Sequence, residues 1–240
     1  MVSSLDLGFS DFFKDENVRQ LTLQKKLDTM EQAVELMRLE ESMNFSVLLS
    51  KGFKHPTVEI YAIDFPSGLR ASIYLLLGGY YRQAILTLRN WLEIRLTGIH
   101  FALVSQEPSK YEDWKEGKGR APIGKALIRS LFRRAEFHKA DRFLRLCEDM
   151  KKLYEELSTF THGGALTRYN LQSKTDNVPR LNLQSVDLWF EFASNVFGEL
   201  VMCYFLAYGR EAFVMGGDEI AALKRHLPSL YQQYLQEGEV

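Results

Sequence analysis

Cysteine is scarce: Cys147 and Cys203 are the only two in 240 residues. They stand far apart in apolar, helix-patterned surroundings. That argues against a disulfide framework or a paired-cysteine zinc site and fits a reducing cytoplasm. With six prolines and sixteen glycines, the chain is neither collagen-like nor low-complexity. Net charge is only −1, so no global surplus advertises a polyanionic partner. The most apolar stretch, residues 186–208, is interrupted by Asp187, Glu191 and Glu199. No run reaches the roughly 18 apolar residues of a membrane span, and no membrane partner is expected. Met1 to Phe13 shows no basic segment followed by an apolar core, so no signal peptide is expected. GxxxxGK[ST], strand-borne GxGxxG, HExxH and paired CxxC are all missing. Neither a cofactor nor a metal is therefore expected.

What is present is helical periodicity. Hydrophobic residues make up 46% of the chain and charged residues 25%. A chain of this length buries about 70% of its open-chain surface, enough for a core without staples. Residues 16–50 read as one long helix, with Leu23, Leu27, Met30, Val34 and Met37 at alternating spacings of four and three. This seam is either an edge of the bundle or a dimer-forming arm. Gly52 to Ile63 reads as a break around His55-Pro56, and Asp64 as the start of a helix that stops at Gly78-Gly79. Tyr80 to Ser105 reads as the central helix, because it is apolar on two sides. Glu107 to Pro122 reads as loop, followed by helices over residues 123–137 and 140–162. Residues 165–184 read as a long polar loop, with room for a hairpin near Asp176-Asn177 and the length of a lid or binding element. Ser185 to Val214 reads as another long helix, and short helices follow Gly216-Gly217 and Pro228. The expected fold is all-α: one domain over residues 1–240, a bundle of four to five long helices with a long N-terminal helix and short C-terminal helices.

Two segments carry candidate chemistry. In the central helix, Tyr81, Ala84, Leu88, Trp91, Leu92, Ile99 and Ala102 form one apolar arc. Arg95 falls inside this arc and needs a paired carboxylate or several acceptors. Arg89 and Glu93, four apart, can pair along the helix. These charges are either structural ion pairs or the polar site of a bundle core. In the second segment Tyr154, Ser158 and His162 repeat every four residues on one face. His162 at a helix C-terminus suits the dipole in its protonated form, as a cap or as an acid/base.

The near-zero net charge hides an asymmetry. Residues 114–145 hold ten basic and three acidic side chains, a net of +7, which leaves −8 for the rest. Lys125, Arg129 and Arg133 are spaced by four, and Arg134, Arg142 and Arg145 add to the cluster. This is either a solvated face or a surface for the phosphate backbone of RNA.

Gly78-Gly79-Tyr80-Tyr81-Arg82-Gln83-Ala84 leading into Leu88-Arg89-Asn90-Trp91-Leu92-Glu93 resembles the HEPN superfamily, in an uncharacterised prokaryotic branch. So do Trp114-Lys115-Glu116-Gly117-Lys118 and the run from Tyr154 to Gly163. The resemblance covers about residues 65–210, with residues 16–50 as an N-terminal arm. It implies a helical bundle, frequent dimers and, in many members, metal-independent RNA cleavage in toxin–antitoxin and anti-phage systems. The family's active signature is an arginine, four to six residues, then a histidine near a helix end. At His162 the sequence departs from it, with Leu157 and Ser158 where the arginine would stand. Arg95 and His100 fit the spacing, but on an unbroken helix they diverge by about 140°. They converge only if Gly98 marks a break. In the catalytic form implied, His162 is the acid/base, Arg89 or Arg95 stabilises phosphate charge, and Ser158 and Tyr154 orient the site, with Glu93 and His100 beside them. The competing expectation is a non-enzymatic module that binds a protein partner through the long N-terminal helix. Either way, that helix is expected to form a homodimer.

Overall fold

The computed structural model describes residues 16–64, 68–104, 107–161, 183–209, 213 and 216–237. All regular structure among them is helical: α1 (Glu16–Lys51), α2 (Pro56–Asp64), α3 (Leu69–Leu77), α4 (Tyr81–Leu103), α5 (Pro108–Lys115), α6 (Gly124–Leu131), α7 (Ala135–Leu144), α8 (Leu146–Thr159), α9 (Leu183–Tyr208), α10 (Gly217–Arg225) and α11 (Ser229–Glu237). The all-α bundle is therefore present, with α1, α4, α8 and α9 as its long members.

Apolar residues on two sides put α4 at the centre, where it packs against α2, α3, α6, α8 and α9. Leu88, Trp91, Leu92 and Ile99 are fully buried there. By length and composition alone, Gln184–Tyr208 in α9 is long and apolar enough to cross a membrane, although Asp187, Glu191 and Glu199 interrupt it. In the fold its apolar surface is used differently: Trp189, Ala193, Val196, Phe197 and Leu200 are all sealed in the core. Eliminating that surface from water is worth roughly 1.5–3 kcal/mol for each large side chain.

Several boundaries differ from the sequence reading. Residues 56–64 form α2, with Pro56 at its first position, where the missing N–H costs nothing. Asp64 is the last residue of that helix, not the cap of the next. Residues 108–115 form α5 inside the expected loop, again started by a proline. The expected helix over 123–137 ends at Leu131, and α7 and α8 replace the single helix expected from Ala140. Arg145 separates these two with a left-handed backbone, φ 55°. The Cys147 amide there donates to Asp141 Oδ1 at 2.7 Å, so Asp141 caps the start of α8. The loop expected over 165–184 lies outside the described residues, apart from its end in α9.

The α1 seam is also displaced. The side facing the core carries Thr29, Ala33, Leu36, Glu40, Met43 and Val47. Val34 and Met37 are half-buried and Met30 is exposed. Leu23, with the rest of that first turn of the seam, falls where side chains are not described. An offset of one residue, about 100° around the helix, thus moves the expected seam to the flank of the contact.

Candidate functional site

Among the described residues, the predicted catalytic set does not form one site. It divides into an open cluster between α4 and α8, a sealed cluster between α1, α2 and α4, and an isolated histidine.

The open cluster follows from helix periodicity. Arg82, Arg89 and Glu93 fall seven and four apart on α4, and so share a side. α8 runs antiparallel along that side: Arg82 meets the end of α8 and Arg89 meets Tyr154 one turn before Ser158. Arg82 Nε donates to the Phe160 carbonyl at 2.7 Å and its Nη2 to the Thr161 carbonyl at 3.0 Å. A cation there satisfies the last carbonyls of α8 and complements its dipole. Arg89 Nη2 donates to the Tyr154 hydroxyl, and the guanidinium lies 4.7 Å from the centre of that ring. The Tyr154 hydroxyl donates in turn to Glu93 Oε2 at 3.3 Å, with Arg89 at 3.9 Å from the same oxygen.

Glu93 ties in a third helix. Its Oε1 accepts the Gly124 amide, 2.9 Å away, at the first turn of α6. A carboxylate there satisfies an orphan donor and suits the positive end of the helix dipole. Gly124 has φ +54°, and a Cβ on it would stand 2.9 Å from three atoms of the Tyr154 ring. Only glycine lets α6 begin this close to the phenol. Burial raises the Tyr154 pKa, and Glu93 adds to that, while Arg89 pulls the other way. The phenol is therefore a neutral donor near pH 7. Arg89 Nε has no hydrogen-bond partner among the described residues. The cluster can position an oxyanion through Arg89 and Tyr154, with Glu93 limiting the net positive charge.

Ser158 lies one turn further along α8, but its hydroxyl is used locally: it donates to the Tyr154 carbonyl at 2.6 Å. His162 lies outside the described residues. The last described residue before it is Thr161, whose carbonyl Arg82 holds.

Arg95 belongs to the interior. It is 2% exposed, and its Nε donates to Glu40 Oε1 at 2.8 Å. Asp64 Oδ2 lies 3.6 Å from Nη2, and the Tyr61 ring centre is 4.6 Å from the guanidinium carbon. Trp91 Nε1 donates to the same Glu40 oxygen. Burial works against the Arg95 charge, but Glu40 and then Asp64 outweigh it and raise its pKa. This arginine faces away from the α8 groove and cannot stabilise phosphate charge there.

His100 does not converge on it. Its Nδ1 is 3.0 Å from Ser130 Oγ of α6, and burial lowers its pKa, leaving it neutral near pH 7. Gly98 introduces no break: α4 is continuous through Leu103. The glycine instead permits close packing, since a Cβ there would lie 3.0 Å from the Thr57 Cα of α2. The spacing of Arg95 and His100 therefore assembles no catalytic pair.

The basic set is also divided. Lys125 pairs with Glu155, and Arg145 with Glu148 at 2.8 Å. Arg134 Nη1 donates to the Leu103 carbonyl at 2.6 Å, closing the end of α4, and Nη2 lies 3.4 Å from Glu136. Arg129, Arg133 and Arg142 are exposed, with no carboxylate in ion-pair range among the described residues. Arg133 lies beyond the end of α6, so the expected helical stripe is cut short after Arg129.

Sequence reasoning did not nominate Arg82, although its place seven residues before Arg89 on one helix was a usable signal. Glu40 and Asp64 left a weaker one, since nothing local ties them to Arg95. Among the described residues, no group of histidine, cysteine or acidic side chains could hold a metal ion. Comparison with protein-family models, with curated proteins and with solved structures finds no match to this chain.

Proposed function

We propose that this chain is a HEPN-like helical protein that acts on RNA in the cytoplasm, as a metal-independent ribonuclease of a toxin or anti-phage system. The observation that carries the reading is the exposed trio Arg129, Arg133 and Arg142, unpaired among the described residues, within a segment of net charge +7. Unpaired guanidinium groups at a surface are suited to bidentate contact with phosphate. The segment joins the α4–α8 cluster through α6, which packs on both helices.

In this reading the basic surface holds the RNA backbone, and Arg89 with Tyr154 receives a phosphate oxygen. His162 removes the proton from the ribose 2′-hydroxyl as that oxygen attacks phosphorus. The 5′-oxygen of the next nucleotide leaves and takes a proton from water, while His162 returns its proton to solvent, giving a 2′,3′-cyclic phosphate and a free 5′-hydroxyl end. Ser158, Arg95 and His100 take no part. The experiment is cleavage of end-labelled RNA in EDTA by the wild type, His162→Ala and Arg89→Ala. Cleavage by the wild type and its loss in both variants is expected. Unchanged cleavage in His162→Ala, or none by the wild type at any salt concentration, refutes the catalytic reading.

A second reading is favoured by a different observation. Phe45 and Leu49 lie one turn apart on α1 and are 57% and 63% exposed, and Met30 is exposed further back. This flank suits a helical partner, and a second copy would bury the same stripe on both sides of a two-fold axis. Sedimentation at micromolar concentration tests it, with Leu27→Glu and Val34→Glu together expected to turn a dimer into a folded monomer. A monomeric wild type ends that reading.

A further inference from the structure

On the side of α8 opposite Tyr154, a cleft of about 300 Å³ opens between α8, α9 and the start of α11. Its polar lining is unbalanced: Asp149, Glu156 and Glu199 face one cation, Lys152, with Asn195 beside them. Leu153 and Leu230 supply apolar wall.

Glu199 is the unusual member. It lies on the core helix α9 and is 7% exposed. Its Oε1 accepts the Tyr231 hydroxyl at 2.8 Å, whereas Oε2 has no hydrogen-bond partner among the described residues. Burial pushes its carboxyl up to about 8; Tyr231 opposes that shift, and Asp149 adds to it. The other titratable groups nearby are Lys152, Glu156 and Cys147 on α8, and Cys203 one turn along α9. Cys203 is neutral, because burial and then Glu199 hold its thiol up.

A buried carboxyl with one oxygen unsatisfied costs on the order of 1–3 kcal/mol and adds nothing to packing. The chemistry of a group that would satisfy it is constrained. An anion would meet three acidic side chains. A neutral apolar molecule would leave Oε2 unpaired. A metal ion lacks a ligand set among the described residues. An alkylammonium head carries several N–H donors and a positive charge, and its chain can lie against Leu153 and Leu230. The volume is at the lower limit for small-molecule sites, which favours a short amine over a nucleotide.

We propose that this cleft binds a small organic ammonium ion, with Glu199 as its buried counter-ion. The head donates to Oε2, and the carboxyl gives up its proton to solvent as the ammonium arrives. Affinity then follows the ionised fraction of Glu199, so binding tightens roughly 20-fold between pH 6.5 and pH 8.5. The site is independent of the RNA reading, since it shares no side chain with the Arg89–Tyr154 cluster.

The test is calorimetric titration of the full chain with n-butylammonium and with 1,4-diaminobutane at both pH values. Buffers of different ionisation enthalpy report the released proton. One-to-one binding with the stated pH dependence is expected, weakened at least tenfold in Glu199→Gln, which keeps the shape and the Tyr231 contact. Leu230→Trp, at the exposed rim, should block entry while leaving the acid in place. Should Glu199→Gln fail to fold, wild-type pH dependence and Leu230→Trp still decide. No binding by the wild type, pH-independent binding, binding unaffected by both variants, or equal binding of n-butanol overturns the proposal.

Discussion

Arg95→Met separates a structural from a catalytic role for the arginine that the sequence placed in both. The change removes the donor to Glu40 and the cation beside Asp64, and leaves two nearly sealed carboxylates without that guanidinium. Breaking a buried pair in this way costs about 3–5 kcal/mol. Domain stabilities are typically about 5–15 kcal/mol, so the variant should lose at least about a fifth of its margin. In urea, with a slope near 3 kcal/mol/M for a chain of this size, the midpoint should fall by about 1–2 M. Adding Glu40→Met and Asp64→Leu should restore most of the midpoint, less about 1–3 kcal/mol for the Trp91 indole left without its acceptor. A cost under about 1 kcal/mol for the single change would refute the buried network. So would a variant of unchanged stability that has lost RNA cleavage.

Glu199→Gln should raise stability at high pH. The folded carboxyl is pushed up to about 8 from an ordinary value near 4.5. The unfolded chain therefore releases its proton first, and wild-type stability falls as pH rises from about 4.5 to 8. The variant should gain on the order of 3–5 kcal/mol over the wild type at pH 8.5 and little at pH 4.5, read by thermal melts across pH; an equal gain at both ends contradicts the burial of the acid. Gly124→Ala should cost about 1–3 kcal/mol and raise the exposure of Tyr154, seen by solvent perturbation of tyrosine absorbance, since the new Cβ and the left-handed φ both oppose it. An unchanged melt would show that the ring moves freely. Arg129→Glu with Arg133→Glu should weaken RNA binding and flatten the dependence of log affinity on log salt by about two. Retention of the wild-type slope removes this surface from the interface.

The long helices were legible because burial repeats with a period the sequence displays. Trp91, Leu92 and Ile99 on α4 and Trp189, Val196 and Leu200 on α9 are buried where the apolar arc puts them. Helix ends were less legible where one residue type serves opposite roles. Pro56 looked like a breaker but starts α2, and Asp64 looked like a cap but ends it, because its partner Arg95 is distant in sequence. Arg145 carries no glycine or proline signal, and its left-handed turn is set by Asp141 and the packing of α7 on α9. Arg89, Glu93 and Tyr154 could be nominated from spacing. The place of Arg95 in the apolar arc was legible too, but its partner Glu40 was not, because Glu40 becomes a core residue only once α1 is docked.

The single residue between α7 and α8 has a mechanical meaning. A connection of several residues would let the two helices swing independently, but here only the torsions at Arg145 are free, and the strut from Asp141 to the Cys147 amide restrains them. Arg142 and Tyr154 therefore sit on two arms of one bent lever. A pull on the first arm is transmitted to the second as a tilt, with almost no slack to absorb it.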